Sequence, residues 1–176
     1  MNSVWADERT ELFTSLFREF VPSVRGYVRT LVADSDVETV VQATFETAWS
    51  KLDLIPRMSQ RAWLFGVARN HVRNHFRAER RRASLTRALV ASRPAEELEL
   101  STHEPDAAEL SSILVALDGL SADERELIQL LAWHEMNPVE IALVLGISGN
   151  AARVRVHRAR RRLSTLLAAA DREVAT

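Results

Sequence analysis

The sequence predicts an all-α protein made of two small helical domains joined by a flexible linker, the C-terminal one a helix-turn-helix. Three observations carry this. Apolar residues recur at helical spacing along most of the chain, no stretch alternates like a half-buried strand, and only 5 glycines punctuate 176 residues. Composition breaks after Arg82 into an alanine-, serine- and acid-rich segment that holds Pro94 and Pro105. Finally, Asn137 to Leu163, NPVEIALVLGISGNAARVRVHRARRRL, reads as two short capped helices around a glycine turn.

The elements follow in order. Asp7 to Phe20 is amphipathic, with Leu12, Phe13, Leu16, Phe17 and Phe20 on one side. Pro22 predicts a kink or restart, with a second helix running to about Ala33. Asp36 is placed to cap a helix through about Leu52, with Val37, Val40, Val41, Phe45, Ala48 and Trp49 facing inward. Ile55 to Ser59 is a short connector. A long helix then runs from about Gln60 to Arg82, its buried side marked by Trp63, Leu64, Val67, Ala68, Val72 and Phe76. After the tether, a helix spans about Ala107 to Leu117, and Ser121 with Glu124 forms a capping box opening a helix to about His134. The expected domains are therefore 1–82 and 107–176, with 83–106 as linker.

In the last segment Asn137 is the N-cap, Pro138 the first helical residue and Glu140 the capping-box acid. Ile141, Ala142 and Leu145 form the apolar face, and Gly146 ends the helix as a residue tolerant of positive φ. Ser148 caps the final helix, where Ala152, Val156, Ala159 and Leu163 make one buried stripe. The rest of its surface carries Arg153, Arg155, Arg158, Arg160, Arg161 and Arg162, with His157 and no acid, which suits a major groove. A solvated arginine face is the plainer alternative for the arginine run alone; the caps and the glycine turn favour DNA.

Net charge is −1, yet charge is segregated. Arg69 to Arg82 holds 6 arginines against one acid, whereas Ala95 to Glu109 holds 6 acids and neither arginine nor lysine. On the long helix, Arg69, Arg73 and Arg77 recur at i+4 with Asn70 and Asn74 beside them. Arginine supplies phosphate contacts and asparagine can bond base edges. Trp63 and Trp49 are candidates to stack on an unpaired base, with a place in the core as the alternative for each. His71, His75 and Glu79 stand at i, i+4, i+8, but neighbouring arginines oppose a dication, so no metal is expected. Cysteine is absent, which excludes disulfides and thiolate metal sites. No glycine-rich phosphate loop and no nucleophile–base pair appears, so neither an enzyme nor a cofactor is expected. No membrane span or signal-peptide core is visible, and a cytoplasmic protein is expected.

Taken together, the two halves resemble the extracytoplasmic-function (ECF) group of bacterial RNA polymerase sigma factors, which keep two sigma domains, regions 2 and 4, joined by a linker. The resemblance covers about Leu12–Arg82 and Leu117–Leu167. DVETVVQATFETAW, Asp36 to Trp49, is similar to the helix that grips the polymerase clamp, although Thr39 and Ala43 stand where relatives commonly carry acids. RAWLFGVARNHVRNHFR, Arg61 to Arg77, is similar to the helix that reads and opens the −10 element. Leu120 to Leu163 is similar to region 4, whose last helix reads the −35 element; Ala151–Ala152 replaces its common threonine–valine pair.

The resemblance implies polymerase contacts at Asp36, Glu38, Gln42 and Glu46, and −10 contacts at Arg61, Trp63, Arg69, Asn70, Arg73, Asn74 and Arg77. For the −35 duplex it implies Arg153, His157 and Arg158 at bases, Ser148, Arg155 and Arg160 at phosphates, and Asn150 beside them. The implied partners are core RNA polymerase, through clamp and flap, and double-stranded and melted promoter DNA. Many relatives also bind an anti-sigma factor. A stand-alone helix-turn-helix regulator is the rival reading; it leaves the Arg69–Arg81 stripe without a purpose.

Overall fold

The computed structural model describes residues 2–87 and 107–174, with side chains described for 7–82, 112–170 and 172. Every regular element among them is helical. The expected tether falls largely outside the described residues. The chain forms two compact units, 1–98 and 99–176.

The first unit is a three-helix bundle of α1 (Asn2–Arg29), α2 (Asp34–Ser50) and α3 (Gln60–Arg87), each packed on the other two. Its core joins Val24, Tyr27 and Val28 to Val37, Val40, Val41, Phe45 and Ala48, and to Leu64, Phe65, Ala68 and Val72. Tyr27 and Phe65 stack with ring centroids 4.6 Å apart. Buried Thr44 spends its hydroxyl on the Val40 carbonyl at 2.7 Å, which removes the cost of an unpaired polar group.

Three local expectations change. Pro22 lies inside one continuous α1 rather than between two helices. Arg18, whose carbonyl loses its donor, and Pro22 itself both lie on the exposed side of the helix. The second helix starts at Asp34 with Ala33 as N-cap and no side-chain cap; Asp34 and Asp36 instead sit in the first turn, where their charge suits the helix dipole. Finally, α3 reaches Arg87, five residues into the expected linker.

Between α2 and α3 lies a 3₁₀ turn, Leu52–Leu54, then buried Ile55 and a second turn in which the Ser59 N–H donates to the Pro56 carbonyl at 3.0 Å. Arg9 of α1 pins this turn: it donates to Asp53 at 2.6 Å and to the Trp49 carbonyl at 2.8 Å.

The second unit packs α4 (Ala107–Asp118), α5 (Ala122–Ala132) and α6 (Pro138–Leu145) against the 26-residue α7 (Gly149–Val174). Both expected capping boxes are present, Ser121 with Glu124 and Asn137 with Glu140. Gly146 adopts φ 65° and closes α6. Glu135, between α5 and α6, also takes a positive φ, 49°. The turn is held there by the Met136 N–H, which donates to the Leu130 carbonyl at 3.0 Å. Gly119 lies under α7, where a Cβ would come within 2.9 Å of a Leu166 methyl.

Candidate nucleic-acid interfaces

The geometry of α7 follows from its buried stripe. Ala152, Val156 and Ala159 are buried, with Leu163 partly so. A shift of two residues turns a helix by about 200°, to the opposite side. The outer midline is therefore Asn150, Val154, His157 and Arg161, all exposed. Arg153 and Arg158 flank it, while Arg155 and Arg160 lie nearer the buried edge. All of these are exposed, as is Ser148, whose hydroxyl accepts from the Ala151 N–H at 3.2 Å and so fixes the start of the helix. Asn150, Arg153, His157 and Arg158 thus lie on or beside the outer midline, Arg155 and Arg160 stand on its two opposite flanks, and Ser148 sits just before the helix. Sequence reasoning passed over Val154, although its place two residues from two buried positions marked it as outward-facing.

The same construction applies to α3. Ala62, Leu64, Phe65, Ala68 and Val72 are buried, and the opposite side carries Asn70, Arg73, Asn74 and Arg77, all exposed. Arg77 donates to Asn74 Oδ1 at 3.4 Å, so these two side chains already lie together. Trp63, expected among the buried residues, is half-buried and stands about two turns before Asn70 on the same side. Phe76, expected inside, is 41% exposed. Arg61 and Arg69 are half-buried and already engaged within the protein; Arg69 borders the exposed asparagine–arginine row, whereas Arg61, in line with buried Leu64, Phe65, Ala68 and Val72, stands on the opposite side at the start of the helix.

On α2 the four expected polymerase residues do not form one row. Glu38, Gln42 and Glu46 are exposed and follow each other at i+4. Asp36, two residues before Glu38, turns to the α3 side, where its carboxylate lies 3.4 Å from His75 Nε2. Within the row, Gln42 donates to Glu46 at 2.8 Å. Glu38 accepts two bonds from Arg25, at 2.7 and 3.1 Å. The hydrogen bond from that guanidinium, aided by its charge, holds the Glu38 carboxyl below the usual carboxylate range. Trp49, expected in the core, is 41% exposed: its ring meets Phe13 edge-on at 5.1 Å and lies 5.4 Å from the Arg9 guanidinium.

The His71, His75 and Glu79 line divides. His71 Nε2 pairs with the Thr47 hydroxyl at 2.9 Å, and partial burial pushes its pKa down against the opposing charge of Glu46. His75 and Glu79 are joined by Asp36, each offering one atom within 4.8 Å of the others, and the cluster ties the first turn of α2 to α3. No helix among the described residues is long and apolar enough to cross a membrane.

Comparison with known proteins finds a family match in each unit. Residues 16–82 match the family model of Sigma-70 region 2, and residues 110–163 match that of Sigma-70 region 4. RNA polymerase sigma factor CnrH of Cupriavidus metallidurans is 35% identical over 148 residues, which cover 77% of this chain and 75% of CnrH. ECF RNA polymerase sigma factor SigL of Mycobacterium tuberculosis is 32% identical over 161 residues, 89% of each chain. Among solved structures, the sigma factor RpoE in complex with the anti-sigma factor NepR from Bartonella quintana aligns with a TM-score of 0.69 at 28% identity, over 88% of this chain and 96% of that one. CnrH in complex with the cytosolic domain of CnrY aligns at 0.57 and 30% identity, over 89% and 88%.

Proposed function

The chain belongs to the ECF group of the sigma-70 family of RNA polymerase sigma factors, and from that premise we propose how its residues divide the work of starting transcription. It is an alternative sigma factor, with core RNA polymerase and promoter DNA as partners. It acts as a dissociable subunit and performs no chemistry of its own.

Glu38, Gln42 and Glu46 present a polar row to the polymerase clamp. Asp36 supports that row from behind, because its carboxylate is turned to His75. Docking at Glu38 must share or displace Arg25, so the clamp has to offer its own cation there.

On α3, Arg73 and Arg77 meet phosphates of the −10 element while Asn70 and Asn74 bond bases. Trp63 stacks on a base freed by melting, which repays part of the lost stacking. Arg69 steadies the edge of this surface, and Arg61 holds the start of α3 from its buried side. On α7, Arg153, His157 and Arg158 read −35 base edges with Asn150 beside them, and Ser148, Arg155 and Arg160 hold phosphates.

Residues 83–106 connect the two DNA-binding units, and their acids suit a basic channel of the polymerase. The solved neighbours were captured with NepR and with CnrY, which supports an anti-sigma factor as a further partner here.

The observation that carries the reading is the pair of exposed cationic faces, on α3 and α7, each set opposite a buried stripe and each in a separate unit of one chain. Transcription in vitro with core polymerase tests it. Initiation at a defined promoter, with only weak binding by the free protein, is expected. Tight operator binding without polymerase, and no transcription with it, would replace this reading with a stand-alone regulator.

A further inference from the structure

We propose that Val154 reads a thymine of the −35 element through the 5-methyl group of that base. The proposal rests on the assignment of α7 to the −35 duplex and names one ligand group within it.

Position is the first argument. Val154 lies two residues from both Ala152 and Val156, which are 0% and 5% exposed. It therefore stands about 200° round the helix from each, at the middle of the outer face. Its neighbours along that midline are Asn150, one turn before, and His157, one turn after.

Chemistry is the second. From Asn150 to Arg162 every other exposed side chain of α7 is an asparagine, a histidine or an arginine. Val154 alone in that stretch is apolar and exposed, at 42%. It contributes nothing to the core behind it and offers no hydrogen bond in front. Among the groups a major groove presents, the one that an apolar side chain can prefer is the thymine methyl. Cytosine lacks that methyl, so a contact there discriminates between two pyrimidines at one position. Valine suits the task because its branched side chain is stiff at χ1 and loses little freedom on contact. It is also short, so the helix must lie close to the groove floor where Val154 sits. The longer Arg153 and Arg158 on either side then reach neighbouring base pairs.

Removing only the methyl of the base tests the contact directly. In the assembled holoenzyme, each thymine of the −35 element, on either strand, is replaced in turn by deoxyuridine, and promoter binding is measured. Burial of one methyl is expected to show as a loss of about fourfold at one thymine and near-silence at the others.

The same series is repeated with Val154→Ala and Val154→Thr. In the alanine variant the sensitive thymine should become indifferent to its methyl. The threonine variant, which keeps one branch methyl, should retain part of the difference. Val154 lies outside the core, so both variants should melt with the native protein by circular dichroism.

Two results overturn the proposal alone: native holoenzyme that depends on the −35 element but ignores every methyl, or a methyl effect that persists undiminished in Val154→Ala. Holoenzyme indifferent to scrambling of the whole −35 element overturns the assignment of α7 to that duplex, and this proposal falls with it.

Discussion

Two residues of the second unit have left-handed backbone and opposite prospects. Gly146, at φ 65°, carries no Cβ to strain, so Gly146→Ala should cost about 1 kcal/mol, read as a lower denaturation midpoint. Glu135, at φ 49°, bears that strain already. Glu135→Gly should therefore raise stability, by about 0.5–1 kcal/mol after the loss of chain stiffness is set against it. Gly146 was readable in advance because glycine after an apolar helix announces such an ending. Nothing announces Glu135, which takes that conformation inside a wide turn that the Met136 N–H closes on the Leu130 carbonyl, a bond that belongs to no regular helix pattern. His71 makes a third case. Its pKa is held below the ordinary 6.5 by desolvation, so the fold favours the neutral ring. The stability this gives is complete above the unfolded-state pKa and is lost as pH falls from there through the folded value. An NMR titration should place the His71 midpoint below 6.5, and His71→Gln should remove part of the acid sensitivity of the native protein. On α7, Arg153→Ala should cost roughly 1–3 kcal/mol and relax preference at one −35 position, measured in holoenzyme. Arg161→Ala, one turn beyond His157 on the midline, should weaken all sequences alike, as a phosphate contact does. Equal losses at every sequence for both variants would assign Arg153 to the backbone as well.

At the scale of the element, local chemistry explains what was legible. Ser121–Glu124 and Asn137–Glu140 act through partners three residues away, and both boxes closed as their spacing required. Ser121→Ala should lower stability by about 1 kcal/mol, since the Glu124 N–H would lose its acceptor. Helix ends that depend on tertiary contacts were less legible. Pro22 did not break α1, because packing of Val24, Tyr27 and Val28 against the other helices outweighs one missing bond on the exposed side. Asp36 did not cap α2, because a helix can begin wherever its first amides meet water, and this carboxylate instead faces His75. Trp49 and Phe76 followed apolar stripes that are wider than the surface available to cover them, so each is left partly exposed. The candidate surfaces were legible for the same reason as the core: once the buried stripe of α3 or α7 is known, the exposed row opposite it is determined. What periodicity did not convey was which side chains were already taken, namely Glu38 by Arg25 and His71 by Thr47.

Across the whole molecule, a net charge of −1 coexists with two strongly basic helix faces. Promoter affinity should therefore fall steeply with salt despite the near-neutral pI. Arg77→Ala on α3 and Arg155→Ala on α7 should each lower the slope of log K against log salt by about one in holoenzyme. Because the two arginines belong to separate units, the double variant should lower it by about two. A double variant no worse than either single one would mean that the two faces do not hold DNA together. The arrangement of α7 has a further consequence, for how such a protein can change over generations. The residues that hold the unit together and those that meet DNA interleave along one helix, offset by two positions. A substitution at Asn150, Val154 or His157 leaves Ala152, Val156 and Ala159 untouched. Promoter preference can thus drift one base at a time without passing through an unfolded ancestor. A single-residue insertion has no such latitude: it rotates everything beyond it by about 100° and spoils packing and reading at one stroke. Lineages descended from this chain should accordingly diverge in the letters of the helix and never in its count.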